Sequence, residues 1–190
     1  MSYTFFYCSS LQSLPDGFTI PDGVIDMSYT FDSCSSLQSL PDGFTIPNGV
    51  TDMSDTFKNC ESLQSLPSGI TIPNRVTNMS FTFFGCSLLQ SLPDGITIPN
   101  GVTDMSGTFK NCESLQSLPS GFTIPSGVTN VSWAFLRCTA LTGTIRIDAN
   151  PTVYEGCFSI VNMRDITLTG SSTMLDAIGA TGDNYTPKES

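Results

Sequence analysis

Histidine is absent from the 190-residue chain. That removes Ser-His-Asp and Cys-His nucleophiles and every imidazole metal ligand. Charge is scarce as well. The 7 Lys+Arg and 17 Asp+Glu make up 13% of residues, roughly half the usual ~25% share. Ser, Thr, Asn and Gln must therefore cover much of the surface. A net charge of -10 argues against nucleic acid, whose phosphates require a basic face. No stretch approaches the ~18 apolar residues of a membrane span, so no membrane insertion is expected. No charged segment followed by an apolar one opens the sequence as a signal peptide would. The length suits one domain, and 39% hydrophobic residues are enough for a real core.

What is present is a repeat. Cys8, Cys34, Cys60, Cys86, Cys112 and Cys138 stand 26 residues apart. Cut at that period, five rows align from Met1, Met27, Met53, Met79 and Met105, and a sixth, from Val131, starts in register and drifts after Leu141. Rows three and five share TFKNCESLQSLPSG. One row reads as one coil of a solenoid. Met27, Phe31, Cys34, Leu37 and Leu40 form its apolar set, at a spacing that predicts a short helical turn running into a strand. Asp26 or Ser28 caps the turn by accepting free N–H groups at its start. Leu-Pro-Asp-Gly at 40–43 reverses the chain, Phe44, Thr45 and Ile46 alternate in-out-in as a strand, and Pro47-Asn48-Gly49 turns again. One coil cannot bury its own faces, so stacked coils supply the core.

The motif Val50-Thr51-Asp52-Met53-Ser54, then Thr56-Phe57, Cys60, Leu63, Leu66 and Thr71-Ile72-Pro73, resembles the BspA-like leucine-rich repeats of bacterial surface proteins. The resemblance covers residues 1 to about 142. It implies a leucine-rich-repeat solenoid and an extracellular or cell-surface module for adhesion or ligand binding. The coil is a few residues longer than the commonest form, with Pro-Asp-Gly before the T-I-P strand. The expected organisation is a β-rich solenoid over 1–142, about five and a half coils. A β-α-β-α capping unit over 143–185 and a polar tail over 186–190 complete it. In the cap, Gly143 to Asp148 and Ile166 to Thr169 read as strands. Pro151 to Phe158 reads as a short helix with Asn150 as its cap, and Met174 to Ala180 as a last helix. Met1 shares the column of Met27, Met53, Met79 and Met105, so the sequence begins inside the pattern and is expected to belong to a longer array.

The cysteine column could suggest a metal or disulfides. Zinc needs paired thiolates such as CxxC, and no two cysteines here are closer than 19 residues,. Buried thiols filling a narrow core are the expected role, with Cys157 off the column. Asp16, Asp42 and Asp94 alternate with Ser68 and Ser120, and Asp26, Asp52 and Asp104 with Asn78 and Asn130. Such exchanges suit turn and cap chemistry rather than catalysis or calcium. No cofactor, no metal and no enzymatic activity are expected. Thr19, Thr45, Thr71, Thr97 and Thr123 should form an outward column, and Gln12, Gln38, Gln64, Gln90 and Gln116 another.

Two further columns vary. The third position reads Tyr3, Tyr29, Asp55, Phe81, Gly107, Trp133, and the sixth reads Phe6, Asp32, Lys58, Phe84, Lys110, Leu136. Both lie between the inward Met and Cys columns, so both should be exposed, and the Asp, Gly and Lys among them agree with that. Tyr3, Phe6, Tyr29, Phe81, Phe84 and Trp133 are the candidate binding residues, for an extracellular protein or glycan. The alternatives are that these rings cover neighbouring coils or pack on a further domain, or that the chain is a spacer rod presenting another domain. The sequence leaves the oligomeric state open.

Overall fold

The computed structural model describes residues 1–161, 166–170 and 175. The coils stack so that every column of the sequence repeat becomes a row of touching side chains. Met27, Met53, Met79 and Met105 are fully buried, as are the cysteines from Cys34 to Cys138 and Leu37, Leu63, Leu89 and Leu115. The fifth position gives the longest row. Phe5, Phe31, Phe57, Phe83, Phe109, Phe135 and Phe158 lie ring on ring at 5.1 to 5.7 Å between centroids. Each coil lends one flat apolar face to the next, which no single coil could bury alone.

The segment expected to be a short helical turn takes another form. Within a coil, the Thr30, Asp32 and Cys34 amides donate to the carbonyls of Met27, Tyr29 and Phe31. The intervening amides of Tyr29, Phe31 and Ser33 donate instead to Ser54, Thr56 and Lys58 of the next coil, at 2.8 to 3.0 Å. Two residues per coil, Tyr29 (φ 54°) and Ser33 (φ 61°), adopt the left-handed conformation that lets successive amides point alternately inward along the coil and outward to its neighbour,. The result is a chain of linked turns in place of a helix. Position four adds a second lock. Thr56 Oγ1 lies 2.7 Å from Met53 O in its own coil and 3.0 Å from Met27 O in the previous one, and Thr30, Thr82 and Thr108 repeat this.

The expected cap at the coil start is present. Asp26, Asp52, Asn78, Asp104 and Asn130 each accept, through Oδ1, the amide of the Ser two residues on, at 2.7 to 3.1 Å. These same residues carry the parallel pairing between coils. The Asp-to-Asn alternation also bonds along the stack, Asn78 Nδ2 to Asp52 Oδ2 and Asn130 Nδ2 to Asp104 Oδ2, both at 3.4 Å. Asn78 and Asn130 match the glycosylation acceptor pattern, but their side chains are engaged in these bonds.

The T-I-P segments alternate as expected, with Phe44 and Ile46 buried and Thr45 exposed. The earlier copies are extended without forming named strands. Backbone pairing runs through the Asp/Asn column and through Gln38 to Gln12, Gln64 to Gln38 and onward, amide to carbonyl. Only the fifth copy becomes a strand, β1 (Thr123–Ile124), because it meets β2 (Gly143–Ile147), which in turn pairs with β3 (Ile166–Gly170), all parallel.

The strand over 143–147 and that over 166–170 agree with the sequence reading; the short helix over 151–158 does not. Residues 154–159 repeat the linked turns of the earlier coils, with Cys157 N bonded to Tyr154 O and Ser159 N to Gly156 O. Val131, Trp133 and Phe135 donate to Val153, Glu155 and Cys157, as coil five donates to coil six. Gly156 (φ 60°) and Ile160 (φ 59°) hold the two left-handed positions. Asn150 therefore caps nothing helical. The period shortens from 26 to 23, as the register of β2 on β3 also shows (Gly143 to Ile166), and stacking continues past residue 142. The helix expected over 174–180 lies outside the described residues except for buried Leu175, and the 186–190 tail lies outside them entirely.

Candidate interaction surface

The third position of each coil is one of the left-handed ones. Tyr3 (φ 59°), Tyr29 (54°), Asp55 (54°), Phe81 (54°), Gly107 (57°) and Trp133 (57°) all sit there. This conformation turns their side chains away from the core and stacks them along one flank of the solenoid. Position six lies beside them on the same flank. Tyr3 packs flat on Tyr29 at 4.6 Å and meets the edge of Phe6 at 5.4 Å. Phe81 meets Phe84 edge-on at 5.8 Å.

The two lysines of the flank join these groups. Lys58 Nζ lies 5.8 Å from the Tyr29 ring, 5.9 Å from Phe81 and 6.0 Å from Phe84. Lys110 Nζ lies 5.5 Å from Phe84 and 5.1 Å from Trp133. The six candidate residues thus belong to one strip, rings from coils two, four and six alternating with ammoniums from coils three and five. The lysines are the members that a search for aromatics alone passes over; their place in the same column was the available signal.

The strip is less exposed than its composition suggests. Tyr3 and Phe6 are exposed at 55% and 41%, but Tyr29, Phe81, Phe84 and Trp133 are partly buried. Asp32 and Asp55, taken from the sequence as marks of exposure, are both buried at 5%, and Gly107 is buried as well. The cause is stacking along the coil axis. The Phe81 ring lies over Gly107, where an added Cβ would come within 2.5 Å of it, and Trp133 covers Gly156 in the same way at 2.8 Å.

Burial pushes the Asp32 carboxyl above the usual carboxylate range, against the opposing pull of Ser33 and Lys58. Desolvation lowers the Lys58 ammonium pKa, but Asp55, 2.8 Å away, outweighs it and leaves the net shift upward. The Tyr29 hydroxyl is raised chiefly by the Asp55 charge, with burial adding to it.

Elsewhere the cysteine column is apolar packing with one added bond. Cys34, Cys60, Cys86, Cys112 and Cys138 place Sγ 3.0 to 3.2 Å from the Phe carbonyl of the preceding coil. All are free thiols, and desolvation raises every one, Cys34 to about 11. Cys8 is exposed. Cys157 falls in the buried fourth-position column of Thr30, Thr56, Thr82 and Thr108, and Val161 takes the place of the next cysteine. A groove of about 250 Å³ near β1 is lined by Thr97, Asn100, Thr123 and Asp148 among others, and its carboxylate is held by Arg146 Nε at 2.7 Å. Among the described residues there is no group of three acidic or thiol side chains that could hold a metal, and no helix long and apolar enough to cross a membrane. The Thr and Gln columns do face outward, Thr123 partly buried.

Parallel coils, a buried Phe and Leu spine and an Asp/Asn ladder define a leucine-rich-repeat solenoid. The family model of the BspA type leucine rich repeat region matches residues 1–119 and 80–179, in six copies, and the chain belongs to that family. Comparison with curated proteins gives no match. Among solved structures, the leucine-rich repeat protein of T. pallidum is similar at 22% identity and TM-score 0.61, over 96% of this chain and 77% of that one. The pneumococcal vaccine antigen PcpA is similar at 18% identity and TM-score 0.51, over 91% of this chain and 40% of that one. Both likenesses concern the fold.

Proposed function

We propose that this solenoid is a non-enzymatic recognition module of a cell-surface or secreted protein, and that it takes an extracellular protein or glycan on the aromatic–lysine strip. The observation that carries this reading is backbone strain. A left-handed backbone costs a residue with a Cβ roughly 1–2 kcal/mol, and Gly107 shows that glycine fits this column. Tyr3, Tyr29, Phe81 and Trp133 nevertheless occupy it. Strain held in place across several coils points to a use for the rings, and aromatic anchors are the residues that carry most binding energy at interfaces. Family membership supports the surface location through the resemblance to bacterial surface proteins.

A spacer rod is the second reading, favoured by the seating of Phe81 and Trp133 on the glycines of neighbouring coils. The two readings separate in a binding screen against immobilised matrix proteins and glycans. The wild type is run beside a variant carrying Phe81→Ser, Phe84→Ser and Trp133→Ser, after both show matching thermal unfolding. Recognition on the strip predicts binding by the wild type and its loss in the variant. Equal binding by both moves recognition to the Thr/Gln face, and no binding by either supports the spacer.

A further inference from the structure

We infer that Asn48 and Asn100 are sites of spontaneous modification, where each side-chain amide is lost to the following glycine through a cyclic imide and ends as aspartate or isoaspartate. Both stand in the turns after the T-I-P segments and take no part in the aromatic–lysine strip.

The turns come first. From the first coil to the fifth they read Asp22-Gly23, Asn48-Gly49, Asn74-Arg75, Asn100-Gly101 and Ser126-Gly127. One bond closes each, from the Val amide to the Pro carbonyl three residues before, at 3.0 to 3.1 Å in all five coils. Asn48 and Asn100 are exposed. Among the described residues neither side chain has a hydrogen-bond partner, and the Gly49 and Gly101 amides donate to no carbonyl. A following glycine leaves its own nitrogen uncrowded, because it has no Cβ.

The reaction needs only water and a solvent base. The base takes the Gly49 N–H proton, and the nitrogen attacks Asn48 Cγ. The new N–C bond closes the imide, and the side-chain nitrogen takes up a proton and leaves as ammonia. Water then opens the ring. Breaking the new bond gives aspartate; breaking the original peptide bond leaves the chain running through Cβ and Cγ as isoaspartate, one methylene longer. Either way a neutral amide becomes a carboxylate, so the two sites add two negative charges to a chain at -10. Asp22, in the same turn of the first coil with the same closing bond, shows that ordinary aspartate fits there. Asn100 lines the groove beside β1, so its conversion sets a second carboxylate in the groove with Asp148.

Each other described asparagine lacks one condition. Asn74 is exposed but precedes Arg75, whose side chain crowds the attacking nitrogen. The amides after Asn59, Asn78, Asn111 and Asn130 all donate to main-chain carbonyls. Asn150 precedes proline, which has no N–H,. Gly101 is exposed, whereas Gly49 is half-buried against Val24 O, 3.3 Å from where a Cβ would stand. Asn100 therefore reacts ahead of Asn48.

The test is incubation of the whole folded chain in mildly alkaline buffer. Samples are digested with pepsin in acid, which halts the reaction, and the peptides are weighed by mass spectrometry. An isoaspartate O-methyltransferase labels the second product. The expected result is the amide-to-acid mass shift at Asn100 and then at Asn48, with label at both, faster at higher pH. Asn74 should stay unchanged while Asn100 is half converted, and Arg75→Gly should raise its rate to that of Asn100. No shift at Asn48 and Asn100, an equal shift at Asn74 in the wild type, or Arg75→Gly without a gain overturns the inference. A shift seen only after unfolding in urea, or one without isoaspartate label, overturns it as well.

Discussion

Gly107→Ala tests the packing of the strip without touching a ring. Gly107 has φ +57°, and a Cβ there would lie 2.5 and 2.6 Å from Phe81 Cε1 and Cδ1. Two costs add. The left-handed backbone is worth roughly 1–2 kcal/mol against alanine. Swinging the Phe81 ring off its rotamer adds on the order of 1 kcal/mol. Gly121→Ala separates them, since Gly121 has φ +73° and a methyl added to it would meet nothing within 4 Å. A domain of this size loses about 2–4 °C in Tm per kcal/mol. Gly121→Ala should therefore lower Tm by roughly 2–8 °C, and Gly107→Ala by a few degrees more. Differential scanning calorimetry on both variants and the wild type reads this directly. Equal losses would mean that Phe81 does not rest on Gly107, and no loss in either would refute the strain argument on which the proposed function stands.

Thr82→Val removes a buried hydroxyl lying 2.9 and 2.8 Å from Met53 O and Met79 O; it should cost about 1–3 kcal/mol in urea unfolding, and Thr82→Ser should recover most of it. Asp32→Asn should stabilise the fold at neutral pH. Its carboxyl is raised by burial, so the charged form costs stability at pH 7; the cost falls away as the pH drops through the raised pKa and is gone below the ordinary value of about 4,; the Tm gain should therefore shrink on acidification, and a gain that grows would contradict the assignment. Native-state titration with a thiol reagent should show one fast thiol, Cys8, and the remaining six of the seven only on unfolding,.

The repeat made the solenoid legible because each apolar column had to be filled in every coil. Met27, Cys34, Leu37 and Phe44 are buried where the spacing put them, and the Asp/Asn column caps as its exchange pattern indicated. The linked turns were hidden because their signature is a left-handed backbone, and the column that adopts it holds Tyr, Phe and Trp, residues that ordinarily avoid it,. The coil at 154–161 was missed for a related reason. A three-residue shortening moves every column, Cys157 stands where Thr stood, and Pro151 reads locally as a helix start. Exposure of the strip was misjudged because alternation tells which face a side chain takes, not what the neighbouring coil lays over it. Asp55 and Gly107 are outward in direction yet buried, Gly107 beneath the Phe81 ring of the coil beside it.

The central claim is that partners bind on the aromatic–lysine strip, and Trp133, the chain's single tryptophan, reports on it. Its ring sits beside Lys110 at the coil-six end of the ammonium-bearing strip. The most direct measurement is acrylamide quenching of Trp133 fluorescence with and without a partner found in the matrix screen. The account predicts that bound ligand shields the indole and lowers the quenching constant. Saturating binding with quenching unchanged would place recognition on another face and contradict it.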